Sequence, residues 1–424
     1  MVKVVIIGAG FGGLRLAREL NNKPGFEVVL IDKVNYHQFQ PLLYQVATAA
    51  LDASNISFPL RKAFQHSKNV HIRLAELKEV VAAENKIITS TEEIYYDILV
   101  LATGTETNFF GNQQLVENTF PMKSTVEALQ LRHRLIRNFE EALLVKNPLE
   151  MQRLMNIVVV GGGPTGVEIS GALAEMKKYV LPKDYPEIDF STMNIYLLEG
   201  SSKTLGTMSE KSSEQSCRYL QNLGVHVKTN TLVSNYDGLS VELKDGSTIP
   251  SGTVIWAAGV KGAVPAGVDP ALVVKGNRLI VDRTNKLKGS QNIYVLGDLA
   301  SMETPSYPQG HPQLASVAIQ QASTLAENLK RLERKTTQLY EFEYHDKGSM
   351  ATVGRNLAVV DIPKPKLHFG GFLAWLIWMG LHLFLILGVK NRFFVFFNWI
   401  YNYFTYDQSL RLIFPEFNRK ALKK

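Results

Sequence analysis

Two glycine-rich turns are the best candidates for chemistry in this sequence. Gly8-Ala9-Gly10-Phe11-Gly12-Gly13 and Gly161-Gly162-Gly163-Pro164-Thr165-Gly166 share the spacing G-x-G-x-x-G. In such a turn the first glycine permits a tight bend, the second lets the backbone approach a pyrophosphate, and the third lets helix and strand pack closely. The amides at the start of the following helix then offer hydrogen bonds and a positive dipole end to the phosphates. Asp32, followed by Lys33, lies about 20 residues beyond the first turn, where an acid accepts hydrogen bonds from a ribose. Glu199 is the corresponding acid for the second turn, and a carboxylate there repels a 2′-phosphate, favouring NADH over NADPH. The plainer readings are a glycine turn that only packs, which the surrounding strand, helix and terminal acid argue against, and, for Glu199, an ordinary strand-end carboxylate without a ligand, which stays open.

Those surroundings are what the motif requires. Val2–Ile7 (VKVVII) reads as a buried strand, residues 11–22 as a helix, and 28–31 and 98–102 as further strands. A polar helix is expected over 126–145, running into Lys146-Asn147-Pro148 as a linker. The pattern then restarts, with strand 157–160, helix 165–179 and strand 195–199. Asp245-Gly246 marks a hairpin, and strands follow at 254–257 and 293–296. Alternating strands and helices point to parallel α/β architecture, and the repeated strand–glycine–helix unit to two dinucleotide folds in one chain. The 424 residues are too many for one ordinary core.

Cysteine usage narrows the chemistry. Cys217 is the only cysteine, so neither an internal disulfide nor a Cys-x-x-Cys pair can form. This excludes disulfide reductases and sulfide:quinone reductases with a multi-cysteine relay, because both need paired thiols beside the redox centre. Cys217 itself reads as a thiol without a role.

The tail has a different character. Residues 371–389 (GFLAWLIWMGLHLFLILGV) form a nineteen-residue apolar run whose only titratable group is His382, and 393–404 is aromatic-rich. By length the run suffices to span a bilayer; an interfacial helix, a hydrophobic dimer interface and a buried core helix compete with that reading. Trp375, Trp378, Trp399, Tyr401 and Tyr403 suit a headgroup belt. Of the net charge of +7, about +6 lies from Asp361 onward, where nine Lys or Arg face three acids. Lys390, Arg392, Arg411, Lys420, Lys423 and Lys424 suit an anionic lipid surface. No aromatic-interleaved basic groove or zinc-ligand cluster supports a nucleic-acid partner, and no metal is required. The opening strand leaves no room for a targeting segment, so the body is expected in a bacterial cytosol. A lipid-soluble oxidant, quinone, is the acceptor that the tail suggests.

Late motifs carry a resemblance. Gly297-Asp298 after strand 293–296, Ala102-Thr103-Gly104 and Ala257-Ala258-Gly259 resemble the matching turns of the two-dinucleotide flavoproteins with the glutathione-reductase-like fold. That resemblance implies FAD at the N-terminal site, with Asp298 at the ribityl chain, Thr103 and Gly104 near FAD, and Ala258 and Gly259 near the nicotinamide. The segments Asp32 to Ala47, Gly161 to Glu168, Val295 to Asp298, Ala318 to Gln321, Gly348 to Arg355 and Asn391 to Phe404 are similar to the type II NADH:quinone oxidoreductases, over nearly the whole chain. The resemblance implies a single-chain, non-proton-pumping FAD enzyme. It also implies a homodimer held on one membrane leaflet by C-terminal helices, adopted here over a true span and placed at the cytoplasmic face of the bacterial inner membrane. An A-Q-x-A-x-Q segment lines the quinone pocket of that family; here it corresponds to residues 315–320, with Ser316 replacing the first glutamine and Ala318, Gln320 and Gln321 retained.

The expected organisation is an FAD-binding domain in two parts (1–120 and 273–345), an NADH-binding domain (121–272), and a C-terminal anchoring and dimerisation region (346–424). Glu168 and Gln320 are the candidate catalytic residues. Glu168, in the first turn of the second helix, reads either as a carboxylate stabilised by the helix dipole or as a group that orders the nicotinamide and relays protons. Two rivals share the motifs: a soluble NADH oxidase or ferredoxin reductase, which leaves the apolar tail unexplained, and a membrane-tethered redox sensor without turnover.

Overall fold

The computed structural model describes residues 1–413 and divides the chain into two compact units. The first comprises Met1–Gln38, Ser57–Thr107 and Val260–Lys347; the second comprises Phe39–Ile56, Asn108–Gly259 and the C-terminal part from Gly348. Lys420, Lys423 and Lys424 lie outside the described residues.

The first unit is built on a five-stranded parallel sheet in the order Ile293–Val295, Ile98–Leu101, Val2–Ile7, Phe26–Asp32, Val70–Leu74. Its central strands are continuous aliphatic runs because both faces are covered, as parallel sheets require. Helix Phe11–Leu20 covers one face together with helix Ala315–Glu333. An antiparallel sheet of Leu77–Val81, Lys86–Thr89 and Glu93–Tyr95 contributes Val80, Ile87 and Ile94 to the same core.

The second unit repeats the plan. Its parallel sheet runs Phe120–Pro121, Thr253–Trp256, Asn156–Val160, Asn194–Leu198, Val225–Lys228, so the glycine-turn strand is central again. The α/β fold with two Rossmann-like halves expected from the repeat is therefore present. The turn at Asp245-Gly246 joins strands Ser240–Leu243 and Thr248–Pro250 as expected.

Two local expectations are corrected. Lys146-Asn147-Pro148 is not a plain linker: the Asn147 side chain accepts from the Leu149 amide at 2.9 Å and caps a further helix, Pro148–Met155. Asn at the cap with Pro in the first turn is a helix start, and it resembles a linker only when read as composition. The apolar run 371–389 is also not one helix. Helix Gly371–Leu385 stops, Gly388 takes φ +85°, and helix Val389–Thr405 follows. The Arg392 Nε donates to the Ile386 carbonyl at 2.8 Å and fixes that break. Among the described residues no helix is long and apolar enough to cross a membrane.

Helix Gly371–Leu385 packs on an antiparallel sheet of Ser349–Gly354, Leu357–Ile362 and Leu367–Gly370, and helix Val389–Thr405 packs on that helix and on the Ala53–Asn55 turn. Phe384, Val389 and Phe404 are more than two-thirds exposed on them, and Phe372, Phe393, Phe397 and Tyr401 about half exposed. Trp378 and Trp399 do not join that surface. Trp378 stacks on His382 with ring centroids 4.0 Å apart, and the Trp399 indole donates to Gln45 Oε1 at 2.8 Å. Both rings are buried, which corrects their assignment to a headgroup belt. Arg411 is ion-paired with Asp184, and Lys390 stays exposed. Burial lowers the His382 pKa to about 4, so the histidine is neutral and tolerable in an apolar helix.

Candidate functional site: two nucleotide turns and a carboxyl-lined cavity

The two glycine turns are built alike, atom for atom. Gly8 N donates to the Ile31 carbonyl and Gly161 N to the Leu198 carbonyl, each at 2.8 Å. Gly8 and Gly161 have φ of +98° and +108°; an added Cβ would fall 2.3 Å from the Ala102 oxygen or 2.5 Å from the Ala257 oxygen. Only glycine can make that bend against the neighbouring turn. A Cβ on Gly13 or Gly166 would lie 1.9 or 1.8 Å from the first glycine's carbonyl oxygen, so the third glycine is what lets the helix close onto the strand. The middle glycines, Gly10 and Gly163, face open space, the cradle a pyrophosphate needs, and each caps its helix without a side-chain bond. Gly12 packs on Ala318, and Thr165 is exposed on the first turn of its helix.

The two acids have a second task that spacing did not reveal. Asp32 Oδ2 accepts from the Ala9 amide at 2.6 Å and Oδ1 from the Val34 amide at 2.9 Å. Glu199 Oε2 accepts from the Gly162 amide at 2.5 Å and Oε1 from the Ser201 amide at 2.7 Å. Each acid thus ties its glycine turn to the loop after the next strand. Lys33 is exposed beside Asp32. His37, which no motif marks, joins them: buried, with burial lowering its pKa, it meets the Ala9 carbonyl through Nδ1 at 2.9 Å and steadies the same turn.

Within the first unit, Thr103 donates to the Ala263 carbonyl at 2.7 Å, and Ala263 N to the Gly104 carbonyl at 3.0 Å. Thr105 reaches Asp298 Oδ2 at 3.5 Å, and Gln313 Nε2 donates to the Asp298 carbonyl at 3.1 Å. The four residues expected at the quinone split between two faces of helix Ala315–Glu333. Gln321, fully buried, accepts from the Gly297 amide at 2.8 Å, and Ala318 packs against the same turn. Ser316 shares a hydrogen bond with the Tyr344 hydroxyl at 2.8 Å, while Gln320 clasps the backbone of His345 at 3.0 and 3.1 Å. In the second unit Gly259 has φ +111° next to Ala258, and its carbonyl accepts from Asn108 at 3.2 Å.

Glu168 lies in a cavity of about 120 Å³ in the second unit, walled by Tyr44, Glu175, Thr352, Trp378, Trp399 and Tyr403 among others. The residue is 8% exposed, and burial raises its pKa to about 8, against the Thr352 backbone and the Trp378 side chain. A solvated helix-dipole carboxylate would not behave this way; Glu168 is protonated at neutral pH. Nothing in the local sequence marks Tyr44 or Arg355 as belonging here. Glu175 does carry a signal, since it follows Glu168 by seven residues on the same helix face.

Paired nucleotide turns on parallel sheets define a pyridine-nucleotide oxidoreductase, and the profile of the pyridine nucleotide-disulphide oxidoreductase family matches residues 2–322. The NDH2 C-terminal domain matches residues 346–406. The chain is 34% identical over 415 residues to the type II NADH:quinone oxidoreductase Ndh of Mycobacterium tuberculosis, covering 94% of this chain and 87% of that protein. It is 30% identical to the type II NADH:quinone oxidoreductase of Haemophilus influenzae, over 85% and 86% of the two chains. Among solved structures, NDH2 from Plasmodium falciparum in complex with NADH superposes with a TM-score of 0.89 at 21% identity, over 98% of this chain and all of that one. The sulfide:quinone oxidoreductase of Aquifex aeolicus shares the fold at a TM-score of 0.69 and 20% identity, over all of this chain and 95% of that one. The chain belongs to the type II NADH:quinone oxidoreductases.

Proposed function

We propose that this protein oxidises NADH at the second glycine turn and reduces a membrane quinone through FAD held at the first, without pumping protons. The observation that carries the reading is the duplicated turn–acid construction, with open cradles at Gly10 and Gly163 and only one cysteine in the chain. The residues at the first turn suit FAD: a pyrophosphate fits against Gly10 and the start of helix Phe11–Leu20, and Asp32 keeps lone pairs for ribose hydroxyls beyond its two amide bonds. Asp298 is the ribityl partner, with Thr103, Gly104 and Gly297 shaping the turns around it. FAD, when bound, supplies the two-electron chemistry that links nicotinamide to quinone.

The chain's own residues orient and protonate. Gly163 to Gly166 receive the NADH pyrophosphate, Glu199 the adenosine ribose, and Ala258 and Gly259 the nicotinamide end. Ser316 and Gln320 form the polar edge of the quinone site, backed by Ala318 and Gln321. Quinone needs two protons with its two electrons, and Glu168, protonated at neutral pH, is the donor from the protein side. The exposed aromatic faces of the tail helices, with Lys390 between them, suit an anionic membrane surface and a homodimer on one leaflet, at the cytoplasmic face of a bacterial inner membrane.

Purified protein reconstituted with FAD should bleach on mixing with NADH and recolour on mixing with quinone in stopped-flow absorbance. Bleaching without recolouring by any quinone would sink the quinone assignment, and failure to bind FAD would sink the first-site assignment.

A further inference from the structure

The cavity that holds Glu168 contains a second carboxyl that the proposed reaction leaves unused. Glu175 closes helix Pro164–Glu175, seven residues after Glu168 and on the same face, about 10 Å along the axis. Strand Ser349–Gly354 lies alongside. The Thr352 amide faces Glu168, and the Arg355 amide donates to Glu175 Oε1 at 2.6 Å. Three extended residues also cover about 10 Å, so strand and helix present matched partners. Midway, an added Cβ on Gly171 would lie 1.6 Å from the Val353 carbonyl oxygen; the backbones touch there, and that contact fixes the register.

Several groups face Glu175. Arg355 directs its guanidinium to the Asn402 and Tyr403 carbonyls, both at 2.7 Å, at the end of helix Val389–Thr405. It also lies over the rings of Tyr403 and Tyr406. Tyr44 faces both carboxyls from helix Leu43–Ala47, with a phenol whose pKa is pushed up by burial and by both acids. Helix Gly371–Leu385 presents Trp375, Trp378 and Met379 to the cavity; its one titratable group, His382, is not part of the lining and is neutral above a pH of about 4. Burial holds the Glu175 carboxyl above the ordinary carboxylate range, against the Arg355 amide and guanidinium. The cavity of about 120 Å³ that both acids line has room for several waters.

We propose that Glu175 is a positioning residue for protons, resupplying Glu168 through water in this cavity. The inference rests on the reading of Glu168 as the proton donor to quinone. With Oε1 held by the Arg355 amide, Oε2 is the oxygen left to carry a proton in transit. In the transfer that O–H bond breaks, a water passes a proton on, and the emptied Glu168 carboxylate gains an O–H bond. Glu175 then takes a proton from solvent. Neither acid is oxidised or reduced; the net reaction stays NADH, one solvent proton and quinone giving NAD⁺ and quinol.

The test compares wild-type, Glu175→Gln and Glu168→Gln holoenzymes. Glutamine still accepts the Arg355 amide, so the structural bond is kept and the proton site removed. Quinone reduction is followed from pH 6 to 9, with the NADH half-reaction recorded separately. Glu175→Gln should slow quinone reduction about tenfold at pH 8 and above, move the alkaline decline to lower pH, and regain rate with added formate, while the NADH half-reaction is unchanged. If Glu168→Gln leaves the quinone profile at the wild-type level, the Glu168 reading fails and this inference with it. If Glu168→Gln slows quinone reduction but Glu175→Gln matches wild type in rate, pH profile and formate response, Glu168 stands and Glu175 is only structural. Should Glu175→Gln not retain flavin, a proton inventory on wild type decides: rates that bow with deuterium fraction support a relay, and a straight line overturns it.

Discussion

Replacing Glu168 by glutamine converts one buried proton into a measurable stability difference. The folded carboxyl has a pKa of about 8, against 4.5 for the ordinary group. Below pH 4.5 it is protonated in both folded and unfolded chains, and its full contribution is present. Between 4.5 and 8 the unfolded chain ionises while the folded chain holds the proton, so stability falls as pH rises, and the loss is complete above the folded pKa. At 1.36 kcal/mol per unit the whole interval is worth about 5 kcal/mol, of which about 2 kcal/mol falls between pH 6 and 8. Glu168→Gln keeps the shape and removes that slope, so the gap between the two proteins must change by about 2 kcal/mol over those two units.

Urea unfolding at pH 6, 7 and 8 reads this directly, because all four tryptophans (Trp256, Trp375, Trp378 and Trp399) belong to the second unit and report on its unfolding alone. With an m-value of about 3 kcal/mol/M, the wild-type midpoint should fall by about 0.7 M relative to the variant from pH 6 to 8. Glu175, also buried, is common to both proteins and cancels in the comparison. Parallel midpoints over the whole range would show that Glu168 ionises in the folded state as easily as in water, and would remove the basis for its role as a neutral-pH proton donor.

Other substitutions test separate links. Glu199→Gln removes the charge proposed to disfavour a 2′-phosphate and one of two amide acceptors; the NADH-to-NADPH preference in kcat/KM should drop about tenfold or more, read by steady-state kinetics with both nucleotides. Gly171→Ala forces a methyl into the Val353 carbonyl, and an overpacking cost of about 1–3 kcal/mol should outweigh the roughly 1 kcal/mol gained in helix propensity, lowering the melting temperature of the second unit. Ser316→Gln breaks the bond to Tyr344 and restores an amide at that position, so the KM for quinone should shift about two- to tenfold with the KM for NADH unchanged.

Local signals sufficed for the parts of the molecule whose structure is itself local. Both glycine turns, their strands, the terminal acids and the hairpin at Asp245-Gly246 stand where the sequence placed them, because positive-φ glycines and aliphatic runs bounded by turns constrain only their neighbours. What was not legible depends on distant partners. Trp378 and Trp399 read as a membrane belt because aromatic residues in an apolar tail carry no mark of which ones turn inward; contacts with Tyr44 and Gln45, over three hundred residues away, decide it. Likewise, nothing in the spacing of Ser316, Ala318, Gln320 and Gln321 says which of them meet Tyr344 and His345 and which meet Gly297. That division follows from the helical 100° step only once both neighbours are known.

The strand-end acids show why sequence motif and fold agree so well here. Asp32 and Glu199 would be needed even without a nucleotide, since each satisfies an amide of the glycine turn that has no strand or helix partner, and one in the next loop. A turn that presents bare amides to a phosphate has to be held by something other than those amides, and a carboxylate from the adjacent strand does so without filling the cradle. A carboxylate that accepts only two amide bonds keeps further lone pairs, and under the proposed function these serve the ribose. The turn-holding carboxylate is therefore one arrangement used twice in this chain, and any difference between the two proposed sites must come from what surrounds each turn: Asp298, Thr103 and His37 in one unit, Ala258 and the Glu168 cavity in the other.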